Sequence, residues 1–462
     1  MTDDSDLHAL LARAAAAAAD FRTGLAERPV RPDVDLDAAR VAFAGPLSRQ
    51  PVPASQVLEE LLTAAEPALV ASAGPRFFGF VTGGALPAAT AADMLAAGWD
   101  QCAYTSVLSP AAAAAEEAAG TWIKELLGLP LSASVGFVTG AQGANTVGLA
   151  AGRHHILGHR GWDVERDGLT GAPAVRVVAG AERHATIDRS LRLLGLGTAA
   201  LTPVAARPDG AIDVAALAGV LQADSDRPTI VCLQVGNVNT GACDDLTAAV
   251  ELAHQHDAWV HVDGAFGLWA AANPATAHLV AGLERADSWG CDGHKWLNVP
   301  YDSAFAICSR PKAHAAAVAY TASYLIGSGG AVPRLGDLTL ESSRRARGFA
   351  VWAALRELGR DGVAALVDRC CRLARRMAEG LAAGGADIVN DVVLNQVLVG
   401  FDDDAHTDRV IAAVQADGTC WLGGTTWRGR RLMRVSVSNW STTEEDADRS
   451  VAAILRLAEQ VR

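Results

Sequence analysis

The feature that most constrains the fold is an alternation of buried strands and helices between residues 174 and 263. Apolar strand-like runs occupy 175–178, 229–235 and 259–263, and helical patterns at 185–194, 212–221 and 246–256 separate them. Such an alternation predicts a mostly parallel sheet that is covered by helices on both faces. Ligands of these sheets bind at the carboxyl ends of the strands. We therefore expect the functional site at that edge.

Three groups fall at predicted strand ends: the turn at 139–146, His184 and Asp263. The turn follows a short strand at 135–138 and precedes a helix predicted at 147–157. Small side chains let backbone N–H groups approach an anion, and the helix dipole favours negative charge there. The turn matches neither the Walker nor the dinucleotide-binding motif. Many turns of this kind contain glycine for steric reasons alone.

Lys295 lies in a stretch at 286–300 that contains few other charges, between a histidine and a tryptophan. Burial favours the neutral, nucleophilic form of a lysine, as imine formation requires. A lysine that extends from an apolar surface is the structural alternative, and this stretch alone leaves both open. Together with Asp263, His184 and the turn, Lys295 fits pyridoxal phosphate chemistry. The carboxylate would hold the pyridinium proton, and the helix N-terminus would take the phosphate.

Two motifs carry a resemblance to a known family, H-V-D-G-A-F-G at 261–267 and A-D-S-W…D-G-H-K-W at 286–296. Over nearly its whole length the chain resembles the pyridoxal phosphate-dependent decarboxylases that act on aromatic amino acids, histidine and glutamate. The resemblance implies catalytic roles for Lys295, as the Schiff-base lysine, for Asp263, as the partner of the pyridine nitrogen, and for His184, stacked on the ring. It further implies a set of cofactor-binding and substrate-pocket residues: Gly140, Ala141 and Gln142 at the phosphate with His294 close by, Ala265 on the ring face opposite the histidine, Asn237 in a loop on the phenolic side, and Phe80, Tyr104 and Tyr324 at the substrate. It implies no metal.

The resemblance also implies an α/β architecture of fold type I and an obligate homodimer with active sites at the interface. On this basis we expect an N-terminal helical segment at 1–74 that wraps the partner. A large cofactor-binding domain at 75–343 and a small α+β domain at 344–462 would follow. The implied reaction is the decarboxylation of an L-amino acid to the amine and carbon dioxide through an internal aldimine on Lys295.

Two departures from the family pattern bear on the reaction. The loop at 326–335 contains no tyrosine, whereas aromatic amino acid decarboxylases carry one that is associated with protonating the carbanion; Tyr320, Tyr324 or His184 are the substitutes. Oxidative deamination linked to decarboxylation, retro-aldol cleavage and transamination therefore stay open. Asp292 is acidic near the expected phosphate, where it could orient His294. A non-catalytic assembly protein is a further alternative, but it would have no need of the three catalytic residues.

The composition of the chain limits the classes of partner that it is expected to bind. The net charge of −13 argues against nucleic acid and anionic membranes, and no apolar run is long enough to span a bilayer. The acidic start lacks the basic region of a secretory signal, and the cysteines form neither a zinc nor a disulfide pattern, so we expect a cytoplasmic protein. Structural roles are preferred for three further features: a solvated surface for the histidines at 154, 155 and 159, a salt bridge for Arg434, and a turn at 423–427.

Overall fold

The computed structural model describes residues 4–320 and 334–462. Its first helices, up to the end of the large sheet, are α1 Asp4–Thr23, α2 Leu36–Phe43, α3 Ala54–Ala65, α4 Pro87–Trp99, α5 Pro110–Leu127, α6 Ala141–Gly158, α7 Val164–Asp167, α8 Ala185–Leu193, α9 Val214–Ala223 and α10 Leu246–Gln255. The helices that follow are α11 Pro311–Val318, α12 Gly348–Ala383, α13 Asp404–Asp417 and α14 Glu444–Gln460. Within these described residues, no helix combines the length and the hydropathy needed to cross a membrane.

A seven-stranded, mostly parallel sheet forms the centre of the molecule. Its strands are β1 Ser134–Val138, β2 Arg176–Gly180, β3 Leu201–Val204, β4 Thr229–Gln234, β5 Trp259–Asp263, β6 Ser288–Asp292 and β7 Ala304–Cys308, in the order β1-β7-β6-β5-β4-β2-β3. Strand β7 runs antiparallel to both of its neighbours, and the other pairs are parallel. The central strands are buried along their length because helices cover both faces. The predicted α/β fold is confirmed.

A smaller antiparallel sheet follows in the C-terminal part. It consists of β8 Asp387–Ile388, β9 Gln396–Gly400, β10 Gly423–Trp427 and β11 Arg430–Ser436, in the order β10-β11-β9-β8. Helix α14 begins with a capping box, in which the Thr443 hydroxyl and the Asp446 carboxylate each bond the other's backbone N–H. Helix α12 is interrupted at Gly359, whose φ is +61°.

Local details differ from the sequence predictions. Residues 423–427 form the edge strand β10, not a turn, because they pair with β11 along their length. Strands β3, β6 and β7 and helices α2, α7, α11 and α13 were not predicted, and helix α6 begins at Ala141 rather than at 147. The boundaries at 74 and 343 stay a prediction.

Candidate active site

The carboxyl ends of β4, β5 and β6 meet the amino end of α6 around a cavity of about 250 Å³. Eight of the predicted site residues line it together: Gly140, Ala141, Gln142, His184, Asp263, Ala265, His294 and Lys295. Six further residues complete the wall: Thr186, Gln234, Gly236, Val238, Phe266 and Asp292. The topology explains this convergence, because the carboxyl ends of neighbouring parallel strands lie at one edge of a sheet.

The amino end of α6 forms one wall. Gly140 is its N-cap in an extended conformation, and no side chain of its own caps the helix. A Cβ at Gly140 would lie 3.6 Å from Cε1 of His294, so a side chain here would narrow the cavity. The Gln142 side chain turns away, because its Nε2 donates to Ser190 Oγ at 2.8 Å. Helix α6 therefore presents backbone N–H groups to the cavity, and such groups suit a phosphate.

Asp263 is the last residue of β5 and is 5% exposed. Its Oδ1 accepts from the backbone N–H of Ala265 at 3.3 Å, and its Oδ2 lies 3.4 Å from Thr186 Oγ1. Burial raises the pKa of this carboxyl, and the charges of His184 and Lys295 oppose that rise. A buried acceptor of this kind suits a protonated ring nitrogen, which would supply the missing counter-charge.

A chain of buried donors and acceptors lies behind Asp263. Trp259 Nε1 donates to Ser288 Oγ at 2.9 Å, and Ser288 Oγ lies 2.9 Å from His261 Nδ1. His261 Nε2 in turn lies 3.0 Å from Asn145 Oδ1. Because Asn145 Oδ1 can only accept, the proton of His261 is on Nε2, and Nδ1 accepts from the Ser288 hydroxyl. Asn145 also holds down the pKa of Asp263 by a hydrogen bond.

His184 caps the amino end of α8 and is held beside Asp263. Its Nδ1 accepts from the backbone N–H of Thr186 at 3.3 Å and lies 2.9 Å from Thr186 Oγ1, while its own backbone N–H donates to Gln234 Oε1 at 3.1 Å. The side chain is accessible from the cavity mouth, yet the surrounding protein atoms lower its pKa by desolvation, against the charge of Asp263. Desolvation therefore favours the neutral imidazole, which suits a ring that packs against another ring.

Asp292 is the last residue of β6, and His294 and Lys295 lie on the turn that follows it. Lys295 Nζ is 3.2 Å from Asp292 Oδ2, and its side chain is 21% exposed. His294 Nδ1 accepts from the backbone N–H of Ser303 at 3.1 Å, and burial lowers the pKa of this ring. Its Nε2 is 3.6 Å from Asp292 Oδ1, too long for a hydrogen bond. Ser303 rather than Asp292 therefore orients His294.

Three of the predicted site residues that the structure describes lie outside the cavity of the single chain. Asn237 is buried within its loop, where Nδ2 donates to Glu182 O and Oδ1 accepts from the backbone N–H of Asn239. Phe80 is exposed and packs on a tryptophan ring with centroids 5.2 Å apart. Tyr104 is buried beside Tyr320, and burial raises its pKa to about 12. Tyr324 and positions 326–333 of the loop lie outside the described residues.

Arg434 differs from its predicted structural role. Within residues 4–320 and 334–462 no carboxylate lies within ion-pair distance of its guanidinium, whose Nη1 donates to Val238 O at 3.2 Å. Val238 lines the cavity. Burial lowers the pKa of Arg434, and its charge is felt at His184. The predicted salt bridge was therefore wrong for the described part of the chain.

Several lining residues escaped the sequence analysis. Thr186 follows His184 by two residues at a helix start, a signal that could have indicated its role. Gln234 carried no signal, because it is the last residue of a buried strand, β4, and reaches the site only through the packing of the sheet. Gly236 requires a positive φ of +82°, and its Cβ would lie 2.9 Å from Phe266 Cζ.

The cavity therefore fits a pyridoxal phosphate group. It combines helix N–H groups for a phosphate, a buried carboxylate for a pyridinium and a lysine for an imine. With the seven-stranded sheet, these features define the class of pyridoxal phosphate-dependent enzymes of fold type I. The chain belongs to the pyridoxal-dependent decarboxylase family: the family model described as pyridoxal-dependent decarboxylase conserved domain matches residues 43–401.

Curated relatives and a solved structure agree with this assignment. Tryptophan decarboxylase 1 of Oryza sativa is 27% identical over 98% of this chain and 93% of that protein. An aromatic-L-amino-acid decarboxylase of Bacillus atrophaeus is 27% identical over 84% of this chain and 82% of its own length. A phenylacetaldehyde synthase of Petunia hybrida is 24% identical over 74% of this chain and 69% of its length.

The crystal structure of Oryza sativa TDC with PLP and tryptamine superposes with a TM-score of 0.91, covering 99% of this chain and 98% of that one at 24% identity. The cofactor of this family is pyridoxal phosphate. The protein is therefore a pyridoxal phosphate-dependent amino acid carboxy-lyase.

Proposed function

We propose that this enzyme converts an L-amino acid to the corresponding amine and carbon dioxide, with Lys295 as the residue that binds the cofactor covalently. One observation carries the proposal. The chain contains three lysines, Lys124, Lys295 and Lys312. Lys295 lines the cavity, whereas Lys124 donates to backbone carbonyls at the end of α5 and Lys312 is exposed at the start of α11.

Each group in the cavity would then have a defined task. The bound cofactor supplies an electron sink for the pair released when the bond to the carboxylate breaks. The N–H groups of α6 hold the phosphate, and Asp263 holds the proton of the ring nitrogen. His184 lies against one face of the ring and Ala265 against the other. The Asn145–His261–Ser288 chain acts through Asp263, which it holds in place.

The identity of the product depends on how the proton is returned to the α-carbon. The loop at 326–335 lacks the tyrosine of the aromatic amino acid decarboxylases, and the relatives include a phenylacetaldehyde synthase. Formation of an aldehyde is therefore the second candidate. In that reaction dioxygen and water would be consumed, and the aldehyde would be released together with carbon dioxide, ammonia and hydrogen peroxide. Transamination is the third candidate, because Arg434 could hold a carboxylate in place.

A homodimer is part of the proposal. In the single chain neither α2 nor α3 contains a buried residue, and Leu36, Val41 and Phe43 of α2 are more than half exposed. Exposed apolar faces of this kind favour a protein partner. A second subunit that covers them would also explain why Phe80, a predicted pocket residue, lies on the surface. Light scattering of the full-length protein tests this, with a monomer as the contradicting result.

The experiment on the reaction is a screen of amino acids with all products quantified. We expect carbon dioxide and amine in equal amounts. Aldehyde with ammonia, or a keto acid without carbon dioxide, would replace the proposal by the second or third candidate.

Two lysine variants test the assignment of the covalent residue. Lys295→Ala should abolish turnover, and Lys312→Ala, the matched surface variant, should leave it unchanged. Turnover by Lys295→Ala at the wild-type rate would refute the assignment.

A further inference from the structure

Asp292 occupies the amino end of α6, where the phosphate of the cofactor is proposed to bind. Its Oδ1 accepts from the backbone N–H of Ala141 at 2.6 Å, and its Oδ2 pairs with Lys295 Nζ at 3.2 Å. The residue is 2% exposed. Asp292 therefore caps α6 from the end of strand β6, whereas the helix has no capping side chain at its own N-cap, Gly140.

The remaining N–H groups of that helix end are open. The first N–H groups of a helix have no acceptor within the helix. Among the described residues, those of Gln142 and Gly143 are bonded to no other group. A phosphate that accepts from these N–H groups would lie directly beside the Asp292 carboxylate. The space is narrow, because a Cβ at Gly140 would lie only 3.9 Å from Asp292 Oδ1.

Two anions in one enclosed site disfavour each other's ionised forms. Among the residues that the structure describes, the charged and titratable groups around Asp292 are Lys295, His294 and Cys291 on its own segment, Asp302 beyond the turn, Asp263 on β5 and His184 at the N-cap of α8. Lys295 is the strong cation among them, and it already pairs with Asp292. Nothing else in this set neutralises a second anion fully.

We propose that Asp292 and the cofactor phosphate share the amino end of α6, so that the phosphate dianion binds together with one proton that neutralises Asp292. This inference rests on the proposed function, since it takes the cavity as the cofactor site. It makes cofactor binding pH-dependent. The affinity for the phosphate-bearing cofactor falls as the pH rises, and Asp292 rather than a histidine sets that dependence.

The probe is 4′-deoxypyridoxine 5′-phosphate, which keeps the ring and the phosphate but has no aldehyde to react with Lys295. Its binding to the cofactor-free, full-length protein is measured by calorimetry between about pH 7 and about pH 8.5, where a phosphate monoester is already a dianion. Two buffers of different ionisation enthalpy give the number of protons taken up. For the wild type we expect about one proton per ligand and a Kd that rises about tenfold per pH unit.

The variant Asp292→Asn keeps the size of the side chain and removes its charge. We expect it to bind the probe at least about tenfold more tightly at pH 8 and to take up about one proton fewer than the wild type. Asp302→Asn is the matched control, because it removes a nearby negative charge that pairs with Arg347 and lies outside the helix end. It should retain the wild-type proton uptake.

The outcomes separate the two proposals. Binding of the probe without proton uptake in the wild type, or unchanged uptake in Asp292→Asn, overturns the role of Asp292 and leaves the site intact. Equal or weaker binding by Asp292→Asn, with correct folding by circular dichroism, does the same. If neither protein binds the probe or pyridoxal 5′-phosphate itself, the cavity is not the cofactor site, and the proposed function fails with it.

Discussion

Mild acid should destabilise this protein through His261, the buried histidine behind the candidate catalytic carboxylate. Its ring is 0% exposed and lies between Ser288 and Asn145. Helix α6 packs tightly on it, because a Cβ at Gly148 would lie 2.6 Å from the ring. Desolvation lowers the pKa of His261 from 6.5 to about 3. The folded protein therefore holds this ring neutral, whereas the unfolded chain protonates it below pH 6.5.

The sign and the size of the effect follow from this difference. Because the folded pKa lies below the unfolded one, the stabilisation is complete above pH 6.5 and is lost as the pH falls towards 3. At pH 5 protonation of this one residue in the unfolded chain lowers the free energy of unfolding by about 2 kcal/mol. The full loss, below about pH 3, would be about 5 kcal/mol. Protonation would also leave the Ser288 hydroxyl without its acceptor.

The assay is urea unfolding of the wild type and of His261→Gln at pH 7 and pH 5. Glutamine can donate to Asn145 and accept from Ser288, but it does not titrate. We expect the variant to be less stable at pH 7 and to lose about 2 kcal/mol less than the wild type between the two pH values. His8→Gln, on the exposed surface of α1, is the control and should keep the wild-type slope. An identical slope for His261→Gln would refute the argument.

Two further substitutions test the buried ion pair of Glu116 and the loop that contains Gly236. Glu116→Gln should lower the free energy of unfolding by about 3 kcal/mol, because it would leave the Arg344 guanidinium, now 2.6 Å from Glu116 and in a side chain only 1% exposed, as an unpaired buried charge. Glu59→Gln is the control in an exposed ion pair and should lower it by less than about 1 kcal/mol. Gly236→Ala should lower the pyridoxal phosphate retained after gel filtration, because its Cβ would meet a phenylalanine ring at 2.9 Å. Gly161→Ala has a similar positive φ and no neighbour within 4 Å, so equal retention by both variants would contradict the steric argument.

The sequence pointed to residues that line the cavity where these residues lie at or just after the ends of strands. Asp263 and His184 were found because buried strands lead to them, and the motif around Lys295 identified the family. Strands β6 and β7 were missed because their short apolar runs, near tryptophans and glycines, have no clear period. The assignment of 423–427 to a turn failed because its two glycines indicate a turn, while the pairing with β11 overrides that local preference.

The sequence by itself determined the class of fold and the family, and it named eight of the residues that line the cavity. These follow from local patterns, namely strand–helix alternation and short motifs in which each residue type has a chemical task. The tertiary structure decided which groups touch. It placed the Asp292 carboxylate on the N–H of Ala141, 151 residues away in sequence, and joined His261 to Asn145, 116 residues away. Such contacts depend on how strands and helices pack, and no local pattern records them.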